Sequence, residues 1–356
     1  MRRLTLALVI GVLMLGAALW QDHRRAIAQS STPAGTTHQG DAFRFNKVAE
    51  GVYHAVGTGA LAVIGNGAVI VNDDDVVIVD DHVSPAAAWV LLEEVKRLTP
   101  KPVRYVINTH FHFDHAHGNQ IFGAGVDIIG HEFTREMLTG SKSLQMPLYK
   151  GYIDPMPGQV ETLRGRVAAE KDPAARAKLQ TQLSVAENNL ASQKELRTVP
   201  PNVTLRTEMT LFRGSREIQI KFLGRGHTAG DVVVFLPREK VVITGDFLTA
   251  ALSNLSDSYP DEWVASLDAL KKLEFTTVLP GHGEAFTDRA KIDYYQAYLR
   301  DAWTEVSRLK QQGVSAEEAV KRIDLSRHKE HFPTTNNLGV PIIGVQRIYA
   351  LLDARR

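Results

Sequence analysis

His110-Phe111-His112-Phe113-Asp114-His115 is the stretch on which the fold is decided. It follows directly on the β-branched run Val103 to Ile107 and precedes a turn containing Gly118. Alternate side chains of an extended segment share a face, so His110 and His112 point the same way. Two imidazoles on one face can bind one divalent ion. Asp114 and His115 follow where the chain turns and can reach a second ion close by. A loop at a strand end lets such side chains converge without disturbing the core. Imidazole and carboxylate together suit zinc. A lone His-x-His is more often an incidental pair, but four ligand-type residues within six is a more specific pattern.

Three further segments have the same construction. Gly226-His227-Thr228-Ala229-Gly230-Asp231 follows the strand read at 218–223. Thr244-Gly245-Asp246 closes the strand that begins at Val241, and Pro280-Gly281-His282-Gly283 closes the one at 276–279. Each places one ligand-type residue at a strand's C-terminal end, beside glycines that let the backbone bend sharply. Each alone is weak. Four strand ends delivering ligands to one rim is a coherent design.

In this order, the four segments resemble the metallo-β-lactamase fold superfamily, over about Val48 to Glu284. The resemblance implies an α/β fold, the αββα sandwich, and two zinc ions as cofactors. It implies His110, His112 and His227 on one ion, Asp114, His115 and His282 on the other, and Asp246 bridging both. Asp80, ending Val76-Val77-Ile78-Val79-Asp80, matches the superfamily's early aspartate, which orders the metal loop by hydrogen bonds. Asp231 is placed to orient the His227 loop, since metal-bound histidines need an acceptor for the other ring nitrogen. In the β-lactamase branches the Asp246 position is typically Cys or is not a ligand. A bridging Asp is closer to the glyoxalase II and lactonase-like branch.

That resemblance implies a zinc-dependent hydrolase that uses a metal-bridged hydroxide to cleave an ester, lactone, thioester or related acyl bond, and the N-terminal segment read below makes it an exported one. Zinc lowers the pKa of bound water from about 16 to about 7. Asp114 is the expected catalytic residue, orienting the nucleophile and passing on its proton. One alternative is a β-lactam hydrolase, which export favours. Another is an iron-dependent oxidoreductase like the persulfide dioxygenases, which use fewer metal ligands than the full set here. Fold alone does not decide among them. Asn254 and Tyr259, in the segment after Asp246, are candidates to line the substrate pocket, against the plain reading of an ordinary loop. His117 reads as a supporting or surface residue, and His131, opening a helix, as structural.

Working outward, Gly51 to Gly57 alternates like a half-buried strand. The runs 61–64, 68–71 and 76–79, parted by turn residues, predict an antiparallel meander. Ser84-Pro85 predicts a helix start, with Ser as cap and Pro in the first turn. A helical insertion is expected at about 140–200, with Leu179, Leu183, Ala186 and Leu190 on one helix face. Strand texture returns over 203–222, and helices are expected at about 263–273 and 290–311. Gly313 is a C-cap and Ser315 to Glu318 a capping box. The expected organisation is a flexible leader at 29–42, a metallo-β-lactamase-like domain at 43–288, and a helical C-terminal extension at 289–356.

The bulk composition agrees with a globular enzyme. The 356 residues are 44% hydrophobic and 23% charged, ample for a large core. The formal net charge of +1 argues against a nucleic-acid partner and for a small-molecule substrate. There is no cysteine, so neither a disulfide nor a thiolate contributes. Met1-Arg2-Arg3, the apolar run Leu4 to Trp20 and Ala26-Ile27-Ala28 have the layout of a secretory signal over 1–28. The expected location is periplasmic or secreted. The charges at Asp22, Arg24 and Arg25 are atypical of a signal, and an uncleaved segment would be a membrane tether. The tail leaves room for a homo-oligomer contact.

Overall fold

The computed structural model describes residues 32–335 and 338–355. The export signal read at 1–28 lies outside them. Among the described residues no helix is long and apolar enough to cross a membrane.

Two sheets stack face to face. The first has seven strands in chain order: β1 (Phe43–Ala49), β2 (Val52–Gly57), β3 (Gly67–Val71), β4 (Val76–Val79), β5 (Val103–Ile107), β6 (Asp127–His131) and β7 (Val203–Leu205). The second runs β12 (Thr277–Pro280), β11 (Val241–Gly245), β10 (Val232–Leu236), β9 (Arg216–Phe222), β8 (Glu208–Arg213). The period of two sorts side chains between layers. In β4, Val77 and Val79 enter the core between the sheets with Ile107, Ile220, Val234 and Ile243. Val76 and Ile78 face the other way, onto helix α1 (Pro85–Val95) through Ala87, Leu91 and Val95. On the far side, Val233, Val242 and Val278 pack beneath α7 (Pro260–Lys271) and α8 (Ala290–Gln311). The layers are therefore helix, sheet, sheet, helix, and strands covered on both faces are apolar throughout.

Between β5 and β6 lies the short α2 (Phe113–Ala116); α3 (Glu132–Leu138) follows β6. The insertion holds α4 (Pro147–Ile153), α5 (Met156–Ala169) and α6 (Pro173–Lys194). Of the face read from sequence on α6, Leu179 is buried and the others half-buried. After α8 come α9 (Ala316–Arg322) and α10 (Ile342–Asp353). The caps read from sequence form: Ser84 Oγ accepts from Ala87 N, and Ser315 Oγ from Glu318 N.

Two expectations are corrected and one is resolved further. The run 61–64 is not a strand. Its following residue Gly65 lies against Asp114 and His115, where a Cβ would stand 2.7 Å from the Asp114 carbonyl oxygen. Asn66 N then donates to Gly281 O at 2.6 Å, so the backbone here bonds to the His282 turn instead of a neighbouring strand. The continuous texture over 203–222 is three strands, and β7 joins the first sheet beside β6. The leader is not free from Ala34 on: Ala34 N donates to Glu195 Oε2 and Asn188 Nδ2 to Thr37 O, tying it along α6.

Candidate metal centre

The parallel strands β4 and β5 end side by side, and the chain leaves β4 through Asp80 at φ 61° and His82 at φ 72°. Side-chain-bearing residues seldom occupy this left-handed region, and such strain concentrates at functional sites. It turns the Asp80 carboxylate toward the next loop. Asp80 accepts from Thr109 N at 2.7 Å and Thr109 Oγ1 at 2.8 Å, and His115 Nδ1 lies 2.8 Å from its Oδ2. His110 and His112 come from the loop after β5, and Asp114 and His115 from α2. His227, Asp246 and His282 follow β9, β11 and β12, whose C-terminal ends share that rim.

All seven residues meet there. Ring nitrogens of His110, His112 and His227 lie within 4.8 Å of one another, as do ligand atoms of His110, His115 and Asp246, and of Asp114, His115 and His282. Asp246 faces both groups: Oδ1 stands 3.4 Å from His115 Nε2, and Oδ2 is 3.3 Å from His282 Nε2 and 3.6 Å from His227 Nε2. Asp114 Oδ2 lies 3.2 Å from His282 Nε2. Six of the seven are buried; His282 is half-exposed and marks the mouth.

Hydrogen-bond partners set the tautomers. Thr109 Oγ1 donates to Asp80, so it accepts from His110 Nδ1–H at 3.1 Å and leaves the His110 Nε2 lone pair facing inward. Asp80 likewise takes the His115 Nδ1 proton. His112 Nε2 lies 3.0 Å from Asp257 Oδ2, which leaves its Nδ1 lone pair 3.0 Å from His227 Nε2. Among the described residues, buried His110 Nε2, His115 Nε2 and Asp246 Oδ1 have no hydrogen-bond partner. Buried polar atoms are ordinarily satisfied, and a cation is the partner that inward lone pairs and carboxylate oxygens accept. The donor set fits a pair of divalent ions such as zinc.

The electrostatics divide the site in two. Burial, with His115, His112 and His227 beside it, holds His110 well below the usual imidazole range. Burial and His112 push His227 down to about 3. Burial also opposes charge on His282, but Asp246 and Asp114 overcome it and raise that imidazole to about 10. His115 is raised well above its ordinary value against burial by Asp114, Asp246 and Asp80.

Residues 60–282, more than half of the chain, match the profile of the metallo-beta-lactamase superfamily. The chain belongs to that superfamily. A linear primary-alkylsulfatase of Pseudomonas sp. is 24% identical over 259 residues, 67% of this chain and 46% of that protein. A metallo-beta-lactamase type 2 of Bacillus sp. is 31% identical over 86 residues, 22% of this chain and 34% of that one. The chain thus spans under half the length of these curated relatives, both hydrolases. Among solved structures, a stereoselective inverting sec-alkylsulfatase from Pseudomonas sp. superposes with TM-score 0.62 at 15% identity, covering 86% of this chain and 49% of that one. A metallo-beta-lactamase from Pontibacter korlensis gives 0.51 at 19%, covering 72% and 99%. These structural likenesses carry the fold.

Around this candidate metal centre, other residues are placed as follows. Asp231 accepts from Thr228 N and Thr228 Oγ1, at 2.8 and 2.6 Å, and so shapes the His227 loop without touching the imidazole, whose Nδ1 has no partner among the described residues. Asn254 Oδ1 is engaged by Ser256, and the Tyr259 ring is held by Arg225 and Arg347. His117 is buried, not at the surface, packed on Tyr149, and burial pushes it down to about 3. His131 is structural as expected: its Nδ1 accepts from Phe133 N and caps α3. Asp257 was not found from sequence. It sits 145 residues from His112 with no motif around it, and its only signal was its place in the loop after Asp246.

Proposed function

We propose that the chain is a metal-dependent hydrolase that cleaves an ester, lactone, thioester or related acyl bond. The observation that carries this is Asp246, which presents one carboxylate oxygen to His115 and the other to His227 and His282, at the seam of two ligand groups. His110, His112 and His227 would hold one ion, and Asp114, His115 and His282 the other. Divalent ions bound there supply Lewis acidity and lower the pKa of water from about 16 to about 7. Asp114 is placed to orient the attacking water and take its proton at the carboxylate. Asp80 and Asp257 keep the His115 and His112 rings turned for this task. The buried ligand set limits bulk water, which strengthens every electrostatic contact within it.

Asp80, Asp114, Asp246 and Asp257 form ion pairs with histidines alone among the described residues. Among the described residues, no lysine or arginine pairs with these four carboxylates, so they stay available to the metal ligands. A second reading, a sulfate ester, draws on the alkylsulfatase likeness over 67% of the chain. A β-lactam is the third, and the matching lactamase segment is only 22% of the chain.

The test is turnover by the zinc-loaded protein across a chromogenic acyl ester, a lactone, a thioester, an alkyl sulfate and a chromogenic cephalosporin. Acyl substrates should turn over, and His112→Ala and Asp246→Ala should fall to background with the fold retained. Turnover confined to the sulfate or the cephalosporin would replace the acyl reading. Turnover that persists in both variants would remove the two-metal mechanism. An iron-dependent redox enzyme would instead reveal itself by iron in the isolated protein.

A further inference from the structure

The profile of the superfamily ends at His282, yet the helices beyond it reach back to the metal ligands. Two chains of contact do so. In α8, the buried Tyr295 hydroxyl accepts from Ser253 N at 2.8 Å, and Ser253 Oγ donates to the Asp246 carbonyl at 2.9 Å. In α10, Arg347 Nε donates to Ser258 O at 2.9 Å, and its guanidinium lies 4.5 Å from the Tyr259 ring centroid. Arg225 covers Tyr259 as well, at 4.1 Å, and Tyr259 N donates to Gly226 O at 2.8 Å, beside His227. Ser258 is the neighbour of Asp257, whose Oδ2 meets His112 Nε2 and accepts from Ser256 Oγ at 3.0 Å.

We propose that the C-terminal helices are a clamp on the metal centre, with Arg347 as a positioning residue that keeps Asp257 on His112 and Tyr295 holding Asp246 through Ser253. The inference rests on the metal-centre reading above. A loop carrying a ligand's hydrogen-bond partner needs fixing from behind if that partner is to orient the ring. Arg347 is suited to it because a planar guanidinium can stack on an aromatic face while donating along its edge. The helix also approaches the loop closely: a Cβ on Gly344 would stand 3.1 Å from Leu255 Cβ. A tail that merely packed against the domain would need neither the arginine on a loop carbonyl nor the phenol on the Ser253 amide.

The test is zinc affinity of the full chain, by competition with a chromophoric chelator, for wild type, Arg347→Met, Asp257→Asn and the double variant. Thermal unfolding of the metal-free forms is followed in parallel. Asp257→Asn should weaken zinc binding about 10-fold or more. Arg347→Met should weaken it in the same direction, and the double variant should be no weaker than Asp257→Asn, because both act through one contact. Arg347→Lys keeps a donor for Ser258 O but not the planar stack, so it should fall between wild type and Arg347→Met; it carries the comparison if Arg347→Met does not fold. Wild-type affinity in Arg347→Met and Arg347→Lys, or losses that multiply in the double variant, would overturn the clamp. Wild type that binds no zinc would overturn the metal-centre reading and the clamp with it.

Discussion

At the scale of single residues, the site is a set of imidazoles whose protons are already sorted. Without metal, burial holds His110 and His227 low, while the surrounding carboxylates favour a second proton on His282 and His115 that a metal ion would displace. A raised imidazole pKa makes the proton a competitor of the metal, and the competition fades as pH climbs toward that pKa. Zinc uptake at Asp114, His115 and His282 should therefore strengthen as pH rises through neutrality toward about 10. Uptake at the other group should be flatter, since His110 and His227 have no proton to lose there. Titration calorimetry at pH 7 in buffers of different ionisation heat checks this: zinc binding should release protons to the buffer. Heats independent of the buffer would contradict it. The seven residues were legible in sequence because each lies in a local pattern at a strand end. Asp257 was not, because its partner is distant in the chain and its neighbours are ordinary serines.

At the scale of elements, the turns matter as much as the ligands. Gly281 sits where a Cβ would stand 2.4 Å from Asp246 Oδ1 and 2.8 Å from His115 Cε1. No real Cβ tolerates such contacts, so Gly281→Ala should push the Asp246 carboxylate aside. The expected outcome is zinc affinity lowered about 10-fold or more with the circular dichroism spectrum unchanged. Unaltered affinity would mean that Asp246 does not bridge. Helix starts were readable because capping is local, as Ser84 and Ser315 show. The run 61–64 was misread as a strand because its composition suits one. Its successors Gly65 and Asn66 decide otherwise by contact with the His115 and His282 loops, which periodicity does not report.

At the scale of the whole molecule, two sheets between helices bring four distant strand ends to one rim. The sandwich was foreseeable from the superfamily resemblance carried by the four strand-end segments. The C-terminal extension was legible as helix but not as part of the site, since Tyr295 and Arg347 belong to no motif and act through loop backbone. The proposed reading requires metal in both ligand groups, with Asp246 shared between them. The direct measurement is metal content of the full chain after zinc loading and dialysis, by plasma emission, for wild type and Asp246→Ala. The account predicts about two zinc ions per chain in wild type and a clear loss in the variant. Wild type with no bound metal, or the same content in both proteins, would contradict it.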